Sequence, residues 1–329
     1  MQLPQPDAEI LSRRSQILSD LATILAADCL ITDPEGLSVY ETDALSAHRQ
    51  RPLAVVLPKT TGEISRVLSY CHASGVKVVP RGAGTGVSGG ALPLADGVLL
   101  GLGKLNRILD IDLANRCVVA QPGVTNLAIT RAVEKEGFFY APDPSSQLAC
   151  SIGGNVAENS GGIHCLKYGM TTNNLLGLEV VLMDGQIVRV GGRHMDAPGY
   201  DFLGVFTGSE GLLGVITEVT LRVLPKPETA RAMVLGFPSN KAAGDCVGAI
   251  IAAGILPAAL ELMDKGAVAA TEAFVASGYP KDAEAVLIAE LDGTAVEVDD
   301  LLARVEDIAR NFDAVVAGFS ESEAERGRL

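Results

Sequence analysis

The stretch that decides the fold is Pro80-Arg81-Gly82-Ala83-Gly84-Thr85-Gly86-Val87-Ser88-Gly89-Gly90. It directly follows Val76-Lys77-Val78-Val79, whose β-branched residues predict a short strand. Five of its eleven positions are glycine, so the backbone can adopt positive φ and turn several N–H groups towards one anion. Thr85 and Ser88 add hydroxyl donors. We interpret the stretch as an anion-binding loop, because the alternative, a flexible surface loop, fits poorly after an apolar strand.

Three of these glycines, Gly84, Gly86 and Gly89, match the G-x-G-x-x-G pattern of Rossmann dinucleotide sites. That site needs a helix directly after the loop, because the helix N-terminus binds the pyrophosphate. Here the chain runs from Gly90 through Pro93 to Asp96, which leaves no room for a helix before the next predicted strand. The sequence therefore argues against NAD binding of the Rossmann type.

Alternating helix and strand patterns surround the loop. The segment 54–58, a helix from Thr60 to Gly75 and the strand before the loop predict a β-α-β unit. Other elements of this region are expected as an amphipathic helix at 8–30, strands at 97–102, 108–112, 117–121 and 214–223, a helix at 126–135, and a hairpin of 178–182 with 187–190.

A second donor-rich stretch extends from Pro142 to Gly162. Within it, Gly153-Gly154 precedes Asn155-Val156-Ala157-Glu158-Asn159, a pattern that predicts a helix N-terminus directed at an anionic or polar group. Two separate donor-rich loops fit a ligand with a long phosphate-bearing body and a flat ring system better than they fit a mononucleotide.

Pro225-Lys226-Pro227 is the best domain boundary, because proline cannot donate to a central strand. After it the pattern predicts strands at 231–237, 258–263 and 284–291 and helices at 239–253, 265–277 and 295–312. We expect an α+β protein with a helical extension at 1–47, a first domain at 48–227 and a second at 228–329. The last residues, 321–329, form an acidic helix-like segment with no closing strand, so the second domain is expected to be incomplete.

Composition excludes several classes of protein. The chain carries 26 Lys plus Arg against 40 Asp plus Glu, a net charge of −14 that disfavours nucleic acid as a partner. Its six cysteines include no C-x-x-C pair, which argues against a zinc ribbon, a haem attachment site or a disulfide framework. Neither a signal peptide nor an apolar run of 18 residues is evident, so we expect a cytoplasmic protein whose membrane association is peripheral.

The order of motifs resembles a known family. The loop 80–90 is followed by Ile152-Gly153-Gly154-Asn155-Val156-Ala157-Glu158-Asn159-Ser160-Gly161-Gly162, then by His164-Cys165-Leu166-Lys167-Tyr168-Gly169 and Thr207-Gly208-Ser209-Glu210-Gly211-Leu212-Leu213-Gly214. This order resembles the FAD-binding domain of the vanillyl-alcohol-oxidase type. Within that superfamily it is most similar to the FAD-linked 2-hydroxy-acid oxidases and dehydrogenases, which include glycolate oxidase flavoprotein subunits and D-lactate dehydrogenases.

The resemblance implies an FAD-binding domain of two α/β subdomains, followed by a cap domain that contributes to the substrate site. It places the pyrophosphate on the first loop and the second loop along the flavin. The residues implied to bind the cofactor are Pro80, Arg81, Gly82, Ala83, Gly84, Thr85, Gly86, Ser88, Gly89, Gly90, Pro122, Gly123, Asp143, Ser145, Ser146, Cys150, Ser151, Gly153, Gly154, Asn155, Glu158, Asn159, Gly161, Gly162, Glu210, Gly211 and Ile216.

Two departures from the superfamily pattern bear on the chemistry. Members with covalent flavin commonly use a histidine in or near the first loop or a cysteine further on, whereas this loop offers Thr85, so FAD is expected to be non-covalent. The cationic residues and the histidine-rich, often metal-binding motif of the family's cap do not occur before Leu329. We expect no metal site here and catalytic residues beyond this position. Within the chain, His164 as a general base and Lys167 as an anion contact are the candidates.

The resemblance implies FAD-dependent oxidation of a small 2-hydroxy acid, with glycolate favoured as the substrate over D-lactate. The electrons would pass to a second flavin-type subunit and an iron–sulfur subunit at the inner face of the cell membrane. Three alternatives stay open: a catalytically silent FAD-binding subunit, a D-lactate or D-2-hydroxyglutarate dehydrogenase, and a different oxidation on the same scaffold.

Overall fold

The computed structural model describes residues 4–196, 199–320 and 322–327, without the side chain of Glu323. It divides into two compact units. The N-terminal unit comprises Met1–Gly161 and Met170–Leu224, and the C-terminal unit comprises Gly162–Gly169 and Pro225–Leu329. The predicted extension at 1–47 is thus grouped with the first domain, and the short segment Gly162–Gly169 is grouped with the second.

The first half of the N-terminal unit is built on a four-stranded sheet. Its strands, in the order β1-β2-β4-β3, are β1 (Leu30–Ile31), β2 (Ala54–Val56), β3 (Lys77–Arg81) and β4 (Gly97–Gly101). β2 and β3 both pair with β4 in parallel, and β1 pairs with β2 in antiparallel register. A parallel arrangement requires a crossover, which here is a helix, α4 (Thr61–Ser74). Its fully buried Ile64, Val67 and Leu68 lie in the core beside β2 and β4.

The N-terminal segment differs from the single helix predicted over 8–30. It forms α1 (Ala8–Ser12) and α2 (Arg14–Ile24), then a short 3-10 turn, Ala27–Cys29, before β1. Ile17 and Leu21 of α2 are buried in the same core as β2 and α4. The apolar period continues past residue 24 because the chain stays against this core as it changes from helix to strand. A further short helix, α3 (Pro34–Ser38), follows β1.

The second half of the N-terminal unit is an antiparallel sheet of five strands in the order β5-β6-β10-β8-β9. Their bounds are β5 (Ile108–Asp112), β6 (Cys117–Ala120), β8 (Leu175–Val181), β9 (Ile187–Gly191) and β10 (Val215–Arg222). The remaining elements of this half are α5 (Asn126–Val133), the 3-10 turns Glu134–Glu136 and Thr171–Asn174, β7 (Phe138–Phe139), α6 (Ile152–Glu158) and α8 (Phe202–Phe206). Ile129 of α5 and Ile152 and Val156 of α6 are fully buried in its core. The predicted hairpin of 178–182 with 187–190 is present as β8 and β9.

The C-terminal unit is an antiparallel sheet in the order β13-β14-β12-β15. The short helix α7 (Cys165–Tyr168) belongs to this unit, and β11 (Leu224–Pro225) lies at the boundary of the two units. The other elements of the C-terminal unit are β12 (Thr229–Phe237), α9 (Asn240–Ala252), β13 (Ala259–Asp264), α10 (Lys265–Phe274), β14 (Ala285–Gly293), α11 (Ala295–Arg310), β15 (Val315–Phe319) and α12 (Glu323–Arg326). α9 and α11 share the main core with the sheet, and Val268 of α10 lies in a second, smaller core.

The predicted α+β class is confirmed. The sequence analysis missed the two-residue strands β1, β7 and β11 and one longer strand, β15, whose residues Val315–Phe319 alternate between exposed and half-buried along one edge of the sheet. An edge strand covered on one side has a weak apolar pattern, which explains the omission. Of the acidic segment predicted to be helix-like at 321–329, Glu323–Arg326 is helical, and residues 321, 328 and 329 lie outside the described part.

Candidate functional site

A cavity of about 380 Å³ opens in the N-terminal unit, where the two donor-rich loops meet. Its walls come from the loop after β3, from the approach to α6 and α6 itself, and from the turn before β10. The residues of the sequence-predicted set that line it are Pro80, Arg81, Gly82, Ala83, Gly84, Thr85, Gly86, Ser88, Gly90, Ser146, Cys150, Ser151, Gly153, Gly154, Asn155, Glu158, Glu210, Gly211 and Ile216.

Arg81 fixes the shape of the first loop. Its side chain is only 6% exposed, and its guanidinium donates to Ala91 O at 3.2 Å from Nε and to Tyr40 O at 3.2 Å from Nη1. Burial lowers the pKa of Arg81, although the nearby Asp43 carboxylate opposes that shift. Because its donors go to backbone carbonyls, Arg81 connects the two ends of the loop and leaves ligand contacts to the backbone between them. Gly84, at φ +69°, supplies one of the left-handed turns.

The second loop packs closely against the first at Gly82. A Cβ at Gly82 would lie 2.0 Å from Ser151 Oγ and 3.7 Å from Gly154 Cα. Backbone hydrogen bonds from Asn126 N to Cys150 O and from Ile152 N to Val124 O fix the approach to α6. The glycines therefore allow the two loops to approach closely enough to enclose one ligand.

Two buried polar side chains in the cavity wall have atoms without a hydrogen-bond partner. Ser151 is 5% exposed and Asn155 is 2% exposed, and both line the cavity. Neither Ser151 Oγ nor Asn155 Nδ2 has a hydrogen-bond partner among the residues that the structure describes. Buried polar atoms without partners carry a free-energy cost, so such atoms in a cavity wall indicate a bound group that satisfies them. A dinucleotide with phosphates, ribityl hydroxyls and ring carbonyls, such as FAD, fits this donor set.

The turn before β10 places a carboxylate at the same cavity. Gly208, Glu210 and Gly211 all have positive φ, and the turn is joined to α6 by hydrogen bonds from Gly208 N to Val156 O and from Glu210 N to Ala157 O. A Cβ at Gly211 would lie 2.5 Å from Pro80 Cγ, so this turn also contacts the first loop closely. Its bonds set Glu210 beside Glu158 at the end of α6.

The remaining residues of the predicted cofactor set do not line the cavity. They are Gly89, Pro122, Gly123, Asp143, Ser145, Asn159, Gly161 and Gly162. Some support its walls instead: Gly153 N donates to Pro122 O at 2.9 Å, and Asn159 Oδ1 accepts from Thr172 N at 3.0 Å.

Sequence reasoning missed Val87, Ala91, Leu102, Ala157, Ser160, Gly214 and Val215, which do line the cavity. Most of them are apolar or small, and nothing in a search for donor-rich motifs could select them. The available signal was proximity, because most of them lie beside or within a motif.

His164 and Lys167 belong to the C-terminal unit, where they contact two buried carboxylates of β14. His164 Nε2 lies 3.2 Å from Glu290 Oε1, and Lys167 Nζ donates to Asp292 O at 2.8 Å and to its carboxylate. Tyr168 also donates to the Asp292 carboxylate, and Arg326 Nη1 donates to Glu290 Oε1 at 2.6 Å. Neither His164 nor Lys167 lines the 380 Å³ cavity.

In this cluster, which we name the β14 carboxylate cluster, Glu290 and Asp292 are 7% and 5% exposed. Burial alone would raise the pKa of Glu290, but the hydrogen bonds and charges of His164 and Arg326 outweigh burial and lower it. These contacts are those of a structural network that joins α7 and α12 to the sheet.

Within the described ranges, no group of three or more His, Cys, Asp or Glu side chains could hold a metal ion. No helix there is long and apolar enough to cross a membrane. All six cysteines are free, and Cys150 is buried in the cavity wall.

Two family profiles match the chain in succession: an FAD binding domain over residues 52–191 and the C-terminal domain of FAD linked oxidases over residues 226–329. Together with the fold and the cavity, they define the class: the chain belongs to the FAD-linked oxidases. The resemblance noted in the sequence is thus confirmed, and so is FAD as the cofactor.

Within this family the chain is similar to glycolate oxidase subunit GlcD of Escherichia coli K12, at 50% identity over 98% of this chain and 64% of that protein. GlcD of Bacillus subtilis is 43% identical over 88% of the chain and 62% of its own length. A D-lactate dehydrogenase of Anaerostipes hadrus is 35% identical over 81% of the chain and 58% of its own length. The chain therefore spans less than two thirds of these relatives, two of which are named as subunits.

Solved structures of low identity share the fold. Alkyldihydroxyacetonephosphate synthase matches all of the chain and 64% of its own at a TM-score of 0.80 and 20% identity. p-Cresol methylhydroxylase matches 99% of the chain and 70% of its own at a TM-score of 0.78 and 19% identity. At this identity the similarity establishes the vanillyl-alcohol-oxidase-type fold and nothing about the reaction.

Proposed function

We propose that the protein binds FAD non-covalently and takes part in the oxidation of a small 2-hydroxy acid, with glycolate favoured over D-lactate. The observation that carries the proposal is the pair of buried, unpartnered groups, Ser151 Oγ and Asn155 Nδ2, in the wall between two glycine-rich loops. Similarity to glycolate oxidase subunits supports the substrate class.

In this proposal the residues of the cavity have separate roles. Backbone N–H groups of residues 82–88 hold the pyrophosphate without a cationic side chain, Ser151 and Asn155 orient polar groups of the cofactor, and Leu102, Ala157 and Val215 exclude water. When bound, FAD supplies the group that accepts the hydride, and the protein supplies position and electrostatics. Non-covalent binding is supported by the lack of histidine among the described residues that line the cavity, and by the burial of Cys150, which does line it.

Recognition of a carboxylate substrate needs a cationic side chain, and few line the cavity. Among the described residues that line it, Arg81 is the single cation, and its guanidinium donates to Ala91 O and Tyr40 O. We therefore expect these 329 residues to retain FAD but to be reduced by glycolate or D-lactate much more slowly than the E. coli relative, because an unanchored substrate loses the positioning on which hydride transfer depends.

The test is to purify the protein, precipitate it with acid and then, on native protein, mix anaerobically with each hydroxy acid. Yellow colour in the acid supernatant and slow bleaching of the flavin band are expected. Flavin in the pellet would refute non-covalent binding, and a protein that cannot be loaded with FAD would refute the whole proposal. Rapid bleaching would show that the described residues already anchor the substrate, with His164 and Lys167 the first to substitute.

The scarcity of available cations also favours a second candidate, a subunit that holds FAD without oxidising a substrate itself. Complete absence of bleaching by glycolate, D-lactate and D-2-hydroxyglutarate would support this function. In either case we propose that the protein is part of a multi-subunit complex, which the subunit names of two relatives support. The partners that we propose are a second flavin-type subunit and an iron–sulfur subunit, in the cytoplasm at the inner face of the cell membrane.

A further inference from the structure

The cofactor cavity contains acidic side chains that the proposed function does not use. Glu158, the last residue of α6, and Glu210, in the turn before β10, both line it. A Cβ at Gly90 would lie 2.8 Å from Glu210 Oε2 and 3.6 Å from Glu158 Oε1, so both carboxylates lie close to one point of the first loop. Neither carboxylate accepts a hydrogen bond from, or forms an ion pair with, another group that the structure describes.

A third carboxylate lies behind them. Asp43 is 8% exposed, and its Oδ1 accepts from Leu45 N at 2.9 Å while its Oδ2 is buried without a partner among the described residues. The ionisable groups that act on Glu158 are Glu210 and Asp43, and the others lining the cavity are Arg81 and Cys150. Partial desolvation by the cavity wall first, and then the charges of Glu210 and Asp43, raise the pKa of Glu158.

Binding of the cofactor disfavours the ionised form of the Glu158 carboxyl. Both glutamates are exposed to solvent through the open cavity, and a ligand that fills the cavity removes that water. FAD also brings an anionic pyrophosphate into a space whose single cationic side chain, Arg81, donates to backbone carbonyls. Desolvation and added negative charge both favour the protonated carboxyl.

We propose that FAD binds together with one proton, which is held by the Glu158 carboxyl beside Glu210. The inference rests on the proposed FAD binding and adds its thermodynamic linkage to pH. Because a proton is taken up on binding, the affinity for FAD is highest below the pKa of Glu158 in the apoprotein. It falls as the pH rises and becomes constant above the pKa of Glu158 in the complex. Between those limits the dissociation constant rises about tenfold per pH unit.

The experiment is a titration of the apoprotein with FAD between pH 5.5 and pH 8.5 at constant ionic strength, followed by quenching of flavin fluorescence. The chain has no tryptophan, so flavin emission is the useful signal. Calorimetry in buffers of different ionisation enthalpy counts the protons taken up and requires no variant. Glu158→Gln and Glu210→Gln are compared with Glu134→Gln, on an exposed turn, as the matched control.

We expect net proton uptake by the wild type and a dissociation constant that rises about tenfold or more from pH 5.5 to pH 8.5. Glu158→Gln should bind FAD at least as tightly as the wild type and with little pH dependence, and Glu134→Gln should behave as the wild type. FAD binding with no proton uptake and a flat pH profile would overturn the inference and leave the proposed function intact. Failure to bind FAD at every pH would instead refute the proposed function.

Discussion

Two pairs of acidic side chains in this protein have opposite environments. In the β14 carboxylate cluster, Glu290 and Asp292 are buried and bonded to His164, Lys167, Tyr168 and Arg326. In the cofactor cavity, the carboxylates of Glu158 and Glu210 face an open space and have no hydrogen-bond or ion-pair partner among the described residues. The pKa of Glu290 is lowered by its cationic partners, and that of Glu158 is raised by burial and by neighbouring acids.

The difference separates a structural use of charge from a binding use. A buried carboxylate that must stay ionised needs cations, and the partners of β14 supply them, so the network holds α7 and α12 on the sheet. A cavity that must admit a large anion is built from backbone N–H groups and glycines, which provide donors without filling the space. The same residue type therefore stabilises one region and leaves the other dependent on a ligand and on pH.

The largest effect is expected from breaking the structural pair. Asp292→Ala removes the carboxylate that accepts from the half-buried Lys167 ammonium and from the Tyr168 hydroxyl, and each such hydrogen bond to a charged group contributes about 1.5–3 kcal/mol. Chemical denaturation should show the loss in the transition of the C-terminal unit. Asp299→Ala is the control, because its bond to Arg231 is exposed, and exposed pairs contribute about 0–1 kcal/mol. Equal losses in the two variants would mean that the cluster does not act as a buried network.

The second largest effect is expected in the cofactor cavity, where the first loop and the second loop approach each other closely. Gly82→Val puts a branched side chain where Ser151 Oγ lies 2.0 Å from the added Cβ, so the loops must separate, at a cost of about 1–3 kcal/mol. FAD affinity should fall about 100-fold or more, measured by flavin fluorescence, because the donors of both loops no longer converge. Gly248→Val in α9 meets nothing within 4 Å and should leave FAD binding unchanged. Retention of full affinity by Gly82→Val would show that the approach of the loops is not required.

The two regions also differ in how far the sequence could predict them. The loop 80–90 and the second stretch carry their chemistry in local composition, so most of the residues predicted from them line the cavity. The contacts of His164 and Lys167 depend on Glu290 and Asp292, more than 120 positions away in sequence. No local pattern encodes such pairing, because β14 reads as an apolar strand and its two acids give no sign of their partners. The clustering of Gly162–Gly169 with the C-terminal unit was hidden for the same reason.

The smallest effect tests whether the unpartnered donors of the cavity await a ligand. Ser151→Ala removes a buried hydroxyl that has no partner in the described structure, so the free energy of unfolding of the apoprotein should stay constant or rise slightly. Under the proposed function, the same change also removes one hydrogen bond to bound FAD, which corresponds to about 1 kcal/mol or a fivefold weaker affinity. Ser320→Ala is the matched control in the other unit: its hydroxyl is equally buried but accepts from Ala232 N at 2.8 Å, so this variant should lose about 1 kcal/mol of stability and no FAD affinity. Opposite signs for stability and affinity at Ser151 are the expected signature of a binding residue. If Ser151→Ala instead destabilises the apoprotein as Ser320→Ala does and leaves FAD affinity unchanged, Ser151 belongs with the structural polar groups of the C-terminal unit and not with the cofactor site.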